Sequence, residues 1–203
     1  MSIYTFCVHN HSLTSLDLFR PSATMSGRTV IRPAARADAD AIWELVSVFA
    51  SEGLMLPRTR DQIGMKLDSY VVAAAAGRIL ACAALDEYSP SLAEVSSVAV
   101  AKSEHGAGLG TQVVLGVERL ARARDIGELF AMSLTDSFFL SMDYQPTSIS
   151  HYPEKLSRYD RLRADGVDIV PKRCFQKTLD AAWTRPQLMS ESSSISGKVR
   201  RAG

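Results

Sequence analysis

Val98-Ala99-Val100-Ala101-Lys102-Ser103-Glu104-His105-Gly106-Ala107-Gly108-Leu109-Gly110-Thr111 passes from a β-branched run, through glycines at every second position, into a helical pattern. Val113, Val114, Val117, Leu120 and Ala121 follow at helical spacing, so the segment reads as strand, glycine loop and helix N-terminus. The first N–H groups of a helix lack intrahelical partners, and the aligned peptide dipoles make that end positive. Glycine lets the backbone approach an anion and adopt turns that a side chain resists. Residues 103–110 are therefore expected to form a phosphate cradle of main-chain amides. A P-loop carries Lys and then Ser or Thr after its last glycine; here Thr111-Gln112 follows. A dinucleotide fingerprint places its third glycine one position later and beside the first strand of its domain, whereas this strand is the fourth in order.

Outward from the loop, Thr29–Pro33 reads as a strand stopped by Pro33. Asp38 caps a predicted helix through Ala50, with Ile42, Leu45, Val46 and Phe49 on one face. Thr59 and Gln62 form a capping-box pair ahead of Ile63 and Leu67. Tyr70–Ala76 and Ile79–Leu85 form a hairpin about Gly77-Arg78. Val95–Val100 is the next strand, and the helix after the loop runs from Thr111 to Arg124, with Glu118 and Arg122 as an outer i,i+4 pair. Leu129–Leu134 is a strand, Asp136–Met142 a short helix, and strands near Tyr144–Ser148 and Arg173–Leu179 close the sheet. The order β-α-α-β-β-β-α-β-α-β-β predicts a mixed α/β (α+β) layer structure in one domain over residues 29–180. Residues 1–28 are expected to be a disordered leader, and the Ser-rich residues 181–203 a disordered tail.

Composition narrows the function classes. The net charge is +1, so no global field favours nucleic acid or an anionic membrane. No apolar run approaches the roughly 18 residues of a spanning helix, and the N-terminus lacks the basic and apolar regions of a signal peptide. The three cysteines, Cys7, Cys82 and Cys174, form no CxxC pair, which points to a reducing cytoplasm without a disulfide framework. Cys82, in an apolar run, reads as packing. Cys7, His9 and His11 alternate, but no fourth ligand is placed, so no metal is expected.

The loop resembles motif A of the GNAT acetyltransferases, Gln/Arg-x-x-Gly-x-Gly/Ala after a central strand. His105, Gly108 and Gly110 occupy its slots, with His105 replacing the usual Gln or Arg. Glu52–Arg60, Gly77–Leu85, Ala93–Val100, Phe138-Phe139 through Tyr144, and Tyr152-Pro153-Glu154-Lys155 resemble signatures of the acetyltransferase domain of the N-acetylglutamate synthases, so the similarity covers Thr29–Leu179. No amino-acid-kinase domain precedes it, which implies the short, kinase-free form without arginine feedback. The resemblance implies a GNAT fold and acetyl-coenzyme A as co-substrate. The pyrophosphate would rest on the loop from His105, Gly106, Ala107, Gly108 and Leu109 to Gly110 and Thr111. The pantetheine would lie along Val98, Ala99 and Val100 like an added strand. The implied reaction is acetylation of an amino acid, glutamate first, in cytoplasmic arginine biosynthesis by a homodimer.

In this chemistry an amine attacks the thioester directly. Glu94 is the candidate proton acceptor, and a strand N–H near Val98 the candidate donor to the carbonyl oxygen. The family's usual acid, a Tyr, falls at Phe139 here, leaving Tyr144 and Ser133 as fallback donors. Arg58 is the candidate carboxylate ligand. Asp86 stands where the family has a basic residue, and Met142-Asp143-Tyr144 where it has Arg-Gly-Phe, so Arg161 and Arg163 are the expected substitutes. Two alternatives stay open: a different small amine as acceptor, motivated by Asp86 and Met142, and a non-catalytic acyl-coenzyme A sensor, motivated by Phe139.

Overall fold

The computed structural model describes residues 28–179. The leader and tail, with Cys7, His9 and His11, lie outside the described residues. The elements are β1 (Val30–Pro33), α1 (Ala39–Ser51), α2 (Arg60–Gly64), β2 (Tyr70–Ala75), β3 (Arg78–Ser89), β4 (Leu92–Val100), α3 (Leu109–Ala123), β5 (Glu128–Ser133), α4 (Asp136–Leu140), β6 (Gln145–Thr147), α5 (Pro153–Ala164) and β7 (Arg173–Thr178). The strands form one seven-stranded sheet in the order β1-β2-β3-β4-β5-β7-β6, antiparallel except where β4 meets β5.

Strand alternation sends neighbouring residues to opposite faces. One face carries Val71, Ala73, Ala81, Ala83, Val95, Leu129 and Phe175, covered by α3 and α4. The other carries Tyr70, Val72, Cys82, Ala84 and Ala99 beneath Ile42 and Val46 of α1 and Ile63 of α2. The alanines of β2 and β3 let α3 approach closely. At Gly116, in the middle of α3, an added Cβ would lie 2.6 Å from Val71 Cγ1. Gly116→Val is therefore expected to destabilise the fold by about 1–3 kcal/mol through overpacking; thermal unfolding checks this, and an unchanged Tm would contradict the packing.

Several local expectations need correction. The tight turn between β2 and β3 sits at Ala76-Gly77, with φ of 49° and 75°, one residue earlier than read. Two successive left-handed residues suit the twist of a hairpin, and glycine supplies one of them freely. Asp38 precedes α1 without capping it. Its carboxylate accepts from Ala35 N at 2.7 Å and from both Arg32 guanidinium nitrogens, at 2.6 and 3.0 Å. Glu118 pairs with Arg122 but is only 2% exposed, because Lys177 of β7 reaches its Oε1 at 2.8 Å; the pair is not on the outside. The Thr59–Gln62 capping box is present, at 3.1 and 3.0 Å. The helix α5 is an addition to the expected order. Pro153 starts it, a favoured position for proline.

Candidate active site

The glycine loop ends in a left-handed Gly108, φ 74°, and α3 begins at Leu109 with no side-chain cap. The amides of Gly106, Gly108, Leu109, Gly110 and Thr111 have no backbone partner among the described residues. They border a cleft of about 760 Å³ that also reaches Val98 and Val100, and a Cβ built on Gly106 or Gly108 meets nothing within 4 Å. Unpaired amides at a helix N-terminus facing open space are what a diphosphate needs.

The cleft exists because β4 and β5 part. Their parallel pairing ends at Val95–Ala131, while β5 continues with β7 as far as Ser133–Arg173. The cause lies in β4. Cys82 and Ala84 of β3 oppose Ala99 and Ser96, so β4 carries an extra residue there, and Ser97 takes a φ of 50°. A bulge of this kind bends its strand and strengthens the twist. From Ser96 to Val100, β4 has no partner on the β5 side among the described residues, leaving backbone groups free to pair with an extended ligand.

The cleft brings together most, though not all, of the residues singled out from sequence. Val98, Val100, His105, Gly106, Gly108, Leu109, Gly110, Thr111, Arg58, Glu94 and Ser133 line it. Ala99 points away into the α1 face, 2% exposed, and can contribute only its backbone. Ala107 is exposed at the loop's rim. His105 does not aim at the phosphate position: its Nε2 lies 3.0 Å from Val100 O, and its ring stacks on Phe49. Ser133 lines the cleft, but its hydroxyl is tied into the turn after β5, donating to Thr135 O and accepting from Thr135 N.

Tyr144 is placed elsewhere. Asp143, φ 64°, turns the chain so that Tyr144 packs into the α3-side core, fully buried against Phe139. Burial first, and Glu118 second, push its phenol far above the usual range, and among the described residues its hydroxyl has no hydrogen-bond partner within bonding geometry. A phenol held there cannot donate into the cleft. Arg161 and Arg163 are exposed on α5 away from the cleft, and Arg163 pairs with Asp160.

Other cations take their place. Lys155 Nζ lies 2.6 and 2.8 Å from the two Glu94 oxygens, and Tyr88 OH donates to Glu94 Oε2 at 3.0 Å. Burial pulls Lys155 below an ordinary lysine, against the pull of Glu94. Asp86, directly opposite Glu94 across β3 and β4, accepts from Arg58 at 2.8 Å, Lys66 at 3.0 Å, Ser96 at 3.0 Å and Arg158 at 3.4 Å. Burial opposes ionisation of Asp86, yet Arg58, Lys66 and Arg158 outweigh it and hold the carboxyl well below the usual carboxylate range. These ion pairs are intact at neutral pH and are lost only as the pH falls through that depressed value. Lys172 lines the same end of the cleft, donating to Leu54 O at 2.7 Å. Sequence reading missed Lys155, Arg158, Lys66 and Lys172. The available signal was Pro153 as a helix start, which puts 155, 158 and 159 on one face.

Cys82 and Cys174 are buried, unpaired thiols, each pushed up to about 12 mainly by burial, so neither is a nucleophile. Among the described residues no group of three or more His, Cys, Asp or Glu is arranged to hold a metal, and no helix is long and apolar enough to cross a membrane.

Comparison with known proteins agrees with this geometry. The model of the acetyltransferase (GNAT) family matches residues 39–138. An uncharacterised N-acetyltransferase of Chlorobaculum tepidum is 32% identical over 130 residues, covering 64% of this chain and 84% of that protein. The amino-acid acetyltransferase of Pasteurella multocida is 28% identical over 134 residues, covering 65% of this chain but only 30% of the longer relative. Among solved structures, N-acetylglutamate synthase from Neisseria gonorrhoeae, complexed with coenzyme A and N-acetyl-glutamate, superposes with a TM-score of 0.64 at 23% identity over 75% of this chain and 35% of that one. A Mycobacterium tuberculosis protein solved in complex with CoA gives 0.65 at 21% identity over 74% of this chain and 99% of that one. An amide cradle at a helix start, a parted β4–β5 pair beside it, and a match at 32% identity across most of an N-acetyltransferase lead to one conclusion: the chain belongs to the acetyltransferase (GNAT) family and is an acetyl-CoA-dependent N-acetyltransferase.

Proposed function

We propose that the acceptor is the α-amino group of an amino acid, with glutamate the leading candidate. The observation that carries this reading is the charge at the inner end of the cleft. Arg58, Lys155 and Lys172 line it with the Glu94 carboxylate, leaving two positive charges in excess, and behind Arg58 the Asp86 carboxylate with Lys66 and Arg158 adds one more. A cationic amine would meet that surplus unfavourably, whereas an acceptor with carboxylates would offset it. Asp86, which had motivated a different small amine as acceptor, already has its oxygens engaged. The relatives named amino-acid acetyltransferase add support.

In this reading the coenzyme A pyrophosphate rests on the amides from Gly106 to Thr111, and the pantetheine follows residues 98–100. The neutral amine attacks the thioester carbon, the carbonyl oxygen takes the electron pair, and its return expels the thiolate. Glu94, with both oxygens bound to Lys155, serves to fix that ammonium beside the acceptor rather than as a free base. The proton lost by the amine passes to water in the open cleft. Phe139 lines the site without a donor group, and the thiolate leaves unaided or takes a proton from solvent. Arginine biosynthesis in a reducing cytoplasm is the setting this chemistry suggests, and the unpaired Cys82 and Cys174 fit it.

A thiol-release assay with acetyl-CoA across the common amino acids tests the acceptor. Glutamate is expected to give the highest kcat/KM. Arg58→Ala is expected to raise the glutamate KM by about tenfold to a hundredfold, the worth of one charge-assisted hydrogen bond, with the acetyl-CoA KM unchanged. A cationic amine preferred over every amino acid would overturn the reading.

A further inference from the structure

We infer that Asp86 is a positioning residue for the acceptor, holding Arg58, Lys66 and Arg158 as one fixed cationic wall rather than binding substrate itself. The inference rests on the amino-acid acceptor reading. Three separate segments supply the cations: the loop after α1 gives Arg58, the turn between α2 and β2 gives Lys66, and α5 gives Arg158. None is adjacent to another in sequence, and their like charges repel. A single carboxylate, 5% exposed on β3, is what joins them. The Arg58 side chain is 15% exposed and lines the cleft, so its free guanidinium edge is aimed by the Asp86 contact at 2.8 Å. Ser96, beside the bulge in β4, donates to the same oxygen and ties the wall to the strand that borders the cleft.

The geometry also explains why two carboxylates stand directly opposite each other on β3 and β4. Like charges in that relation are destabilising unless each is compensated. Here Glu94 has Lys155, and Asp86 has three cations, so each carboxylate recruits an ammonium or guanidinium to the acceptor end. A buried acid at position 86 thus supports anion binding by the groups around it, although its own charge has the opposite sign.

Charge and positioning make opposite predictions. Asp86→Asn removes a negative charge with little change of shape. If Asp86 acts only through its charge, an anionic acceptor binds more tightly and its KM falls. If Asp86 positions Arg58, the acceptor KM rises despite the added positive charge. We expect a rise of about tenfold or more, comparable to loss of one charge-assisted hydrogen bond, with kcat within about threefold and the acetyl-CoA KM unchanged. The decisive measurement is a double-mutant cycle on the acceptor KM, with the full chain and Tm recorded for each variant. In an Arg58→Ala background, Asp86→Asn is expected to add less than about twofold, because Arg58 is the one of the three cations that lines the cleft. A fall or no change in KM for Asp86→Asn, or effects that multiply in the double variant, would refute the positioning role while leaving glutamate as acceptor. Failure of wild-type protein to acetylate any amino acid would sink the acceptor reading, and the Asp86 role with it.

Discussion

Gly108→Asp is expected to abolish acetyl transfer while leaving the protein folded, lowering kcat/KM by about 10³-fold or more, since like charges in contact cost several kcal/mol. The new carboxylate would stand where the unpaired amides of Leu109, Gly110 and Thr111 converge, neutralising the helix end and repelling a diphosphate. Two facts separate this from simple misfolding. Gly108 has a φ of 74°, and Asp is among the residues that tolerate the left-handed region. A Cβ there also meets no atom within 4 Å, so the side chain enters open space. The Tm is therefore expected to fall by only a few degrees, the cost of about 1 kcal/mol for a side chain at positive φ. Gly108→Asn, of the same shape without the charge, is expected to retain far more activity. Calorimetry with coenzyme A and the thiol-release assay read both variants. Undiminished turnover by Gly108→Asp would show that the diphosphate binds elsewhere.

The largest stability effect is expected at Lys155. Its side chain and that of Glu94 are each 4% exposed, and the two form a bidentate contact between α5 and β4. Lys155→Met leaves the Glu94 carboxylate buried with only Tyr88 as donor, and removal of one partner from a buried pair costs about 3–5 kcal/mol. Urea unfolding at neutral pH measures the loss. Replacing both partners, as Lys155→Met with Glu94→Leu, is expected to recover most of it, because no unpaired charge remains. Equal stability of Lys155→Met and wild type would mean that the pair contributes nothing to docking of α5.

These two sites differ in how far local sequence revealed them. The residue pattern by itself determined the sheet-forming segments, the hairpin and the strand–loop–helix around Gly106–Thr111. Hydrophobic period, helix-start chemistry and glycine spacing are local signals, and they act before any long-range contact forms. The same locality made α5 illegible. Its buried residues are Lys155 and Tyr159, with Arg158 half-buried beside them, so charged side chains that meet carboxylates interrupt the weak apolar repeat of Leu156, Tyr159 and Leu162. Only the tertiary structure decided that Asp86 gathers Arg58, Lys66 and Arg158, which are brought together from positions up to 100 residues apart in sequence. It likewise decided that Tyr144 turns inward at Asp143 and that a bulge at Ser97 parts β4 from β5. Each of those outcomes depends on which face of the sheet a side chain meets. That is set by register and by the partner strand, neither of which is written in the spacing of nearby residues.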